Sequence, residues 1–326
     1  MFSSSLAICQ GCPPNITKGV CNMWGRFKNT VLSTENGEDN STKLAALLIA
    51  PALAVMGFII VYPLLEALWL SFFNYQLTKP DEHAFAMAQN YGHMLKDDVF
   101  WIALKNTVFF TFATVFIGLL LGLLMALAID HIAERFASIR GLILIPWVVP
   151  GIVVGYLFMY MFDVEVGIIN YFLLKANIIS KYLPWLMKED LSMIAVIAAH
   201  VWNQAPFYML MITAGLKAIP DDVKEAAYME GASRWEEFCH VTLPYLKGIL
   251  VISSLLMIIR NFNNFPIIWT MTGGGPVYAT TTSVIYIYRE AFEQYNLGYA
   301  SAVGVVWVAI LLIVSVVYVR SLQKDF

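Results

Sequence analysis

Charge is what this chain of 326 residues has least of: Asp, Glu, Lys and Arg make up 13%, against 59% hydrophobic residues and a mean hydropathy of +0.68. That balance excludes an ordinary soluble domain and indicates a protein that crosses a membrane several times. The net charge of -3 and the dispersed basic residues leave no footprint for nucleic acid. Cysteine is sparse as well, at Cys9, Cys12, Cys21 and Cys239. The Cys9-x-x-Cys12 pair has no further ligands at zinc spacing, so no metal site is expected and the thiols read as reduced groups on a cytosolic tail. Neither a basic start nor a long apolar region precedes Leu6-Ala7-Ile8-Cys9, so no cleaved signal is expected.

Catalytic patterns are missing too. A phosphate-cradling P-loop needs a Lys and a hydroxyl after its glycines, and Gly273-Gly274-Gly275-Pro276 has neither, so it reads as a turn. No Ser/His/Asp set and no paired His on one helix supports hydrolysis. The chain is expected to be a non-enzyme without a cofactor of its own.

Long apolar runs are what it does have. Residues 44–73, 103–129, 139–162, 191–216, 245–270 and 299–318 form six candidate spans, each long enough at about 1.5 Å per residue to cross a roughly 30 Å core. Pro51 and Pro63 are expected to kink the first span, and Pro146, Pro150 and Gly151 the third. Gly118 and Gly122 form a small-residue packing face in the second. Residues 1–43 read as a polar tail, followed by a membrane domain over 44–326.

Six spans put both termini on one side. Twelve basic residues (Lys18, Arg26, Lys28, Lys43, Arg135, Arg140, Lys217, Lys224, Arg234, Lys247, Arg320 and Lys324) then share that side with the central loop. Seven (Lys79, Lys96, Lys105, Lys175, Lys181, Lys188 and Arg289) lie opposite, with Arg260 inside a span. The bias places the termini and the loop 217–244 on the cytoplasmic side.

That loop contains a predicted amphipathic helix, opened by Pro220 with acids in its first turns. Held at both ends by spans, it would act as a lever or lie on the membrane surface. Ala226, Ala227, Gly231 and Ala232 give a surface that another protein can approach closely, and Glu225, Glu230, Arg234 and Glu236 can form rim ion pairs.

The spacing Glu225-Ala226-Ala227, three residues, Gly231, nine residues, Val241, one residue, Leu243-Pro244 resembles the EAA loop of the membrane subunits of binding-protein-dependent ABC importers. Val241 stands where the pattern usually has Ile, and Met229-Glu230 where it often has Ile-Asp. Phe262-Asn263-Asn264-Phe265, Thr272-Gly273-Gly274-Gly275-Pro276, Ala279-Thr280-Thr281 and Gly298-Tyr299-Ala300-Ser301-Ala302 are similar to the MalF-like carbohydrate branch. The resemblance covers residues 44–326. It implies an all-α membrane protein with six transmembrane helices and a cytoplasmic coupling helix, the type I ABC importer permease fold. By resemblance, Glu225, Ala226, Ala227 and Gly231 seat in a separate ATPase subunit, and Asn residues at the places of Asn261 and Asn264 contact sugar.

From the residues alone, Arg260 is a functional candidate because an ionisable group inside a bilayer costs about 2.5 to 3.5 kcal/mol on insertion scales. Helical periodicity places it on one face with Ser253, Met257 and Asn264, and Asn261 further round. Arg260 is free to pair with a substrate carboxylate or phosphate or with an internal carboxylate, and the Asn amides to meet sugar hydroxyls or to bridge helices. In the fourth span Asn203, Gln204 and Phe207 surround Pro206 and are substrate-path candidates, while His200 reads first as a helix bridge. The branch's Gly and Tyr at the places of Gln204 and Phe207 are absent, which points to a sugar other than maltose.

The expectation is a permease subunit importing a carbohydrate, acidic oligosaccharides included, by alternating access. Its partners would be a second homologous permease, two ATP-binding subunits holding ATP and Mg, an extracytoplasmic solute-binding protein and membrane lipid. An importer of another solute, such as a polyol phosphate or peptide, is the alternative. An ion-driven carrier would need intramembrane acids, and the spans offer only Glu66 near an end.

Overall fold

A computed structural model of the chain describes residues 38–79, 84–130 and 137–325. The expected tail through residue 37, with Cys9, Cys12 and Cys21, lies outside them. The chain forms two compact units, Met1–Glu66 and Ala67–Phe326.

Helix α1 (Glu38–Met56), in the first unit, continues through a π-turn at Gly57–Val61 into α2 (Tyr62–Leu70), whose last residues belong to the second unit, and Pro51 sits within α1. The Tyr62 amide reaches five residues back to the Gly57 carbonyl. A wider turn here has a cause: Pro63 follows, and its ring would press on the carbonyl four residues back in a regular helix.

In the second unit, after the end of α2, comes a two-residue antiparallel pair, β1 (Phe73–Asn74) with β2 (Ala84–Phe85). It is tied to α3 (Gln89–Lys96) by the Asn90 amide, which donates to the carbonyls of Ser71 at 2.8 Å and Phe73 at 3.0 Å. The 33-residue α4 (Asp98–Asp130) follows. After it come α5 (Ala137–Val148), α6 (Gly151–Met161), α7 (Ile168–Lys175) and the 29-residue α8 (Glu189–Lys217). Two short helices, α9 (Asp221–Met229) and α10 (Arg234–Glu237), lead through a second π-turn at Phe238–Thr242 into α11 (Leu243–Phe262). This turn again precedes a proline, Pro244, and again carries a five-residue bond, from the Leu243 amide to the Phe238 carbonyl. Last are α12 (Pro266–Thr272), α13 (Ser283–Tyr288), a third π-turn at Arg289–Glu293 and α14 (Leu297–Asp325).

Helix α8 is the axis of this unit and packs along α4, α5, α6, α11 and α12. The expected Gly118/Gly122 face makes the α4 contact possible. A Cβ on Gly122 would stand 2.3 Å from Tyr208 Cβ and 2.9 Å from the Met209 nitrogen, so only hydrogen fits there. One buried cluster joins Phe110, Val154, Met193 and Ile268, and another joins Val115, Tyr208, Leu246, Phe262 and Trp307.

Four helices among the described residues are long and apolar enough to cross a membrane: Leu44–Leu70, Asp98–Ile129, Arg234–Phe262 and Leu297–Arg320. A fifth crossing arises if Gly141–Val148 and Gly151–Met161 count as one span. The expected third span is thus two helices bent by 95°, a sharper break than a proline kink. The expected fourth span lies inside α8, which is not among the apolar helices; its polar Ser192, His200, Asn203, Gln204 and Thr213 are buried against other helices rather than turned to lipid. The expected fifth span is also corrected. Its helix stops at Phe262, because Pro266 has no amide hydrogen to offer the Phe262 carbonyl and instead opens α12.

Candidate functional site

The loop between α8 and α11 forms a short hook. Pro220 opens α9, and Asp221 and Asp222 in its first turn complement the helix dipole. Gly231 turns the chain at φ +86°, a left-handed conformation that glycine adopts without a steric penalty. Ser233 then caps α10 in a reciprocal capping box: Glu236 Oε2 accepts from the Ser233 amide at 2.8 Å while the Ser233 hydroxyl accepts from the Glu236 amide. From Arg234 the helix runs without a break of direction through the π-turn into α11. Helix α9 packs on this segment, at α10 and the π-turn.

Glu225, Ala226 and Gly231 are exposed on the hook and Ala227 is half-buried. Sequence reasoning missed what surrounds them: Tyr228 is 53%, Met229 89% and Trp235 72% exposed, with Trp235 stacked on Phe238 at 5.7 Å. Large apolar groups open at a polar helix turn are the composition of a protein contact surface.

Inside the membrane region the polar groups do the reverse. Asn261 is 1% exposed and sits between three helices. Its Oδ1 accepts from Gln204 Nε2 at 2.5 Å and from His200 Nε2 at 3.0 Å, and its Nδ2 donates to Thr114 Oγ1 at 2.8 Å. Because Oδ1 can only accept, His200 carries its proton on Nε2. Thr114 passes its own hydroxyl hydrogen to the backbone of α4, with the Phe110 carbonyl 2.7 Å away. In this conformation the Asn261 amide and the Gln204 Nε2 bridge α4, α8 and α11 in a knot, the second of the two roles expected for these amides, while Gln204 Oε1 is buried without a partner. Thr114 was not a candidate, since a threonine in an apolar helix has no signature that tells it from filler.

Asn203 is also a structural donor here. Its Nδ2 donates to the Pro146 carbonyl at 2.5 Å. That carbonyl is an orphan by covalent structure, because its helical partner four residues on would be the amide of Pro150, which has no hydrogen. Asn203 thereby stabilises the bend between α5 and α6. Phe207 is half-buried, 5.7 Å from Trp147 of α5 and 6.1 Å from Tyr208.

Arg260 takes no part in the hydrogen bonds of this knot. It is exposed on α11, and among the described residues it forms no ion pair. The buried stripe of α11 is Ser253, Met257 and Asn261, and Arg260 lies off that stripe. Asn264, expected on the same face, stands beyond the helix end, half-buried, with its Oδ1 unpartnered.

A last cluster ties the start of α4 to the end of the chain. Asp97 Oδ2 accepts from Tyr299 Oη at 2.8 Å and from Tyr286 Oη, while Asp97 Oδ1 accepts from the Val99 amide at 2.9 Å. Burial works to raise the Asp97 carboxyl, but the hydrogen bonds from Tyr286, Tyr299 and the Val99 and Phe100 amides together hold it below the ordinary carboxylate value. Neighbouring Glu290 is pushed up, by burial first and then by the Asp97 charge, with His93 opposing.

The family described as the binding-protein-dependent transport system inner membrane component matches residues 118–325. The sulfoquinovosyl glycerol transport system permease SmoG of Agrobacterium fabrum is 35% identical over 86% of this chain and 91% of its own length. The trehalose/maltose transport system permease MalF of Thermococcus litoralis is 34% identical over 85% and 93%. In fold, the chain is similar to a bacterial ABC transporter chain from the import system for the acidic polysaccharide alginate, at a TM-score of 0.71 and 16% identity over 95% of this chain and 99% of that one. The all-α architecture is that of the type I ABC importer permeases, and the chain belongs to the family of binding-protein-dependent transport system inner membrane components.

Proposed function

We propose that the chain is the carbohydrate-conducting permease subunit of an ATP-driven importer. It would work with a second homologous permease, two ATP-binding subunits that hold ATP and Mg, and an extracytoplasmic solute-binding protein. The observation that carries the coupling role is the hook: Glu225, Ala226 and Gly231 exposed beside Tyr228, Met229 and Trp235, on a segment continuous with α11. Closure of the ATPase pair presses on α9, and the Arg234–Phe262 helix carries the displacement into the membrane. The twelve-to-seven distribution of basic residues supports a cytoplasmic hook and cytoplasmic termini.

Relatives named for sulfoquinovosyl glycerol and for trehalose and maltose support a sugar as substrate. Arg260 supports an acidic one. A guanidinium exposed on a membrane helix, without a counter-ion among the described residues, is stabilised when it faces a polar path carrying anions. In this reading Arg260 and the unpartnered Asn264 Oδ1 meet substrate, while Asn203, Gln204, Phe207 and Asn261 shape the path from behind.

The test is uptake into proteoliposomes containing the assembled transporter, ATP and the binding protein. Glu225→Ala is expected to lower sugar uptake and binding-protein-stimulated ATP hydrolysis together by roughly tenfold, as for an interface contact carrying ~1.4 kcal/mol. Unchanged uptake with intact ATPase association removes the coupling assignment. Arg260→Gln is expected to slow acidic sugars and spare neutral ones; equal effects on both make Arg260 structural.

A further inference from the structure

Between the ends of α4, α5 and α8 lies a cavity of about 230 Å³, lined by Ile129 of α4, Leu144 of α5 and the α8 residues Met209, Leu210, Thr213 and Lys217. It opens along the exposed side of Leu210, Ala214 and Lys217. Two of its polar groups have no hydrogen-bond or ion-pair partner among the described residues. Thr213 is 7% exposed, yet its Oγ1 makes no hydrogen bond, not even the local one to the carbonyl four residues back that Thr107 and Thr114 both make. Lys217, in the last turn of α8, forms no ion pair among the described residues.

We propose that this cleft seats the glycerol-ester region and the first methylenes of one acyl chain of an anionic glycerophospholipid whose remainder lies in the bilayer. The order of groups along α8 carries the assignment. From the helix end inward the wall presents an ammonium at Lys217, a hydroxyl donor at Thr213 and hydrocarbon at Leu210 and Met209. A phospholipid entering from its own leaflet presents phosphate, ester carbonyl and acyl chain in the same order. Thr213 and Lys217 are one turn apart, about 6 Å along the axis, which suits the separation of a glycerol ester from its phosphate. The Thr213 hydroxyl donates to the ester carbonyl, satisfying a buried donor in a region without bulk water. The Lys217 ammonium meets the phosphate at the interface, where long basic side chains reach for headgroups. A neutral alkane-like occupant leaves both groups unsatisfied, and a water-filled cleft is disfavoured by its apolar walls.

The experiment is a lipid titration of the intact transporter complex by native mass spectrometry, with phosphatidylglycerol and phosphatidylcholine as probes. The complex is expected to retain phosphatidylglycerol at lower added lipid than phosphatidylcholine. Lys217→Gln, at an exposed position where folding is not at stake, is expected to raise the phosphatidylglycerol concentration for half-occupancy by about fivefold, the effect of roughly one interfacial cation. Thr213→Val is expected to weaken both lipids alike. A phosphatidylglycerol with a photoreactive acyl chain should label the α8 peptide around Leu210. Equal retention of the two lipids, or an unchanged titration in Lys217→Gln, overturns the site. Crosslinking of a benzophenone-bearing residue in place of Leu210 to the second permease subunit, rather than to lipid, also overturns it, by assigning the cleft to a protein side chain.

Discussion

The hook and the helix knot invert each other. Outside the membrane helices the hook leaves Met229, Trp235 and Tyr228 open, although water is a poor solvent for them. Within the helices the knot hides His200, Gln204 and Asn261 from every surface, although hydrocarbon is a poor solvent for those. Each placement answers a different requirement. An exposed aromatic beside a capped polar turn contributes little to its own subunit beyond a local stack such as Trp235 on Phe238, and its open face suits a partner in the proposed function. A buried amide with both its functions engaged stabilises its own subunit and has little left for a ligand. Function in this chain is therefore to be sought first where a residue is in the wrong solvent with little to hold it there, a description that fits Met229 and Arg260 better than Asn261.

The contrast breaks first at Trp235. Trp235→Asp is expected to cost about 2 kcal/mol or more of ATPase-subunit affinity, roughly thirtyfold, because an aromatic anchor at an interface centre is replaced by a charge. Thermal unfolding of the isolated subunit should shift by less than about 0.5 kcal/mol, since the side chain is 72% exposed. ATPase pull-down and calorimetry in detergent read the two quantities separately. Loss of stability without loss of ATPase would make the hook an internal brace. Asn261→Leu is expected to behave in the opposite way. Removing the acceptor for Gln204 and His200 and the donor to Thr114 should destabilise the subunit by about 2 kcal/mol, at roughly 0.6 kcal/mol per helix-bridging bond. Any uptake defect should scale with the amount of folded protein. A stable Asn261→Leu subunit with impaired uptake would return Asn261 to the substrate path.

Much of the fold was legible because membrane helices advertise themselves as apolar runs, and the hook because its spacing is local. Periodicity failed at α11 for a definable reason. Grouping Ser253, Met257, Arg260 and Asn264 on one face assumed a helix continuing to residue 270, whereas the helix ends at Phe262 and its buried stripe turns toward Asn261. The roles of Asn203 and Asn261 were not legible because their partners are distant: the Pro146 carbonyl is 57 residues from Asn203, and Thr114 is 147 from Asn261. A bend that looked like an ordinary proline kink needed a donor from another helix to become a sharp break, and no local pattern records that donor. Residues 191–216 of α8 were legible as an apolar run, but nothing local recorded the neighbouring helices that enclose its polar Ser192, His200, Asn203 and Gln204.

The smallest expected effect tests whether inversion extends to the loops. Asp97 joins Tyr286 and Tyr299 across 189 and 202 residues of sequence, a latch in which a half-buried carboxylate ahead of the Asp98–Ile129 span meets two buried hydroxyls, that of Tyr299 in the first turn of the last span. Its carboxyl lies below the ordinary value in the folded protein, so the latch contributes stability that is fully present above the unfolded carboxylate range near pH 4. That stability is lost as pH falls through the lowered folded value. Glu290, raised by burial, has the opposite sign: its contribution is present below the unfolded range and lost as pH rises through its folded value. Asp97→Asn is therefore expected to cost about 1 kcal/mol at neutral pH, the order of one partly exposed charge-assisted hydrogen bond. It should also flatten the acid limb, so that the parent and variant melting temperatures converge as pH drops below about 4. Parallel curves would show that the carboxylate charge contributes nothing and that the two tyrosines are held by packing alone.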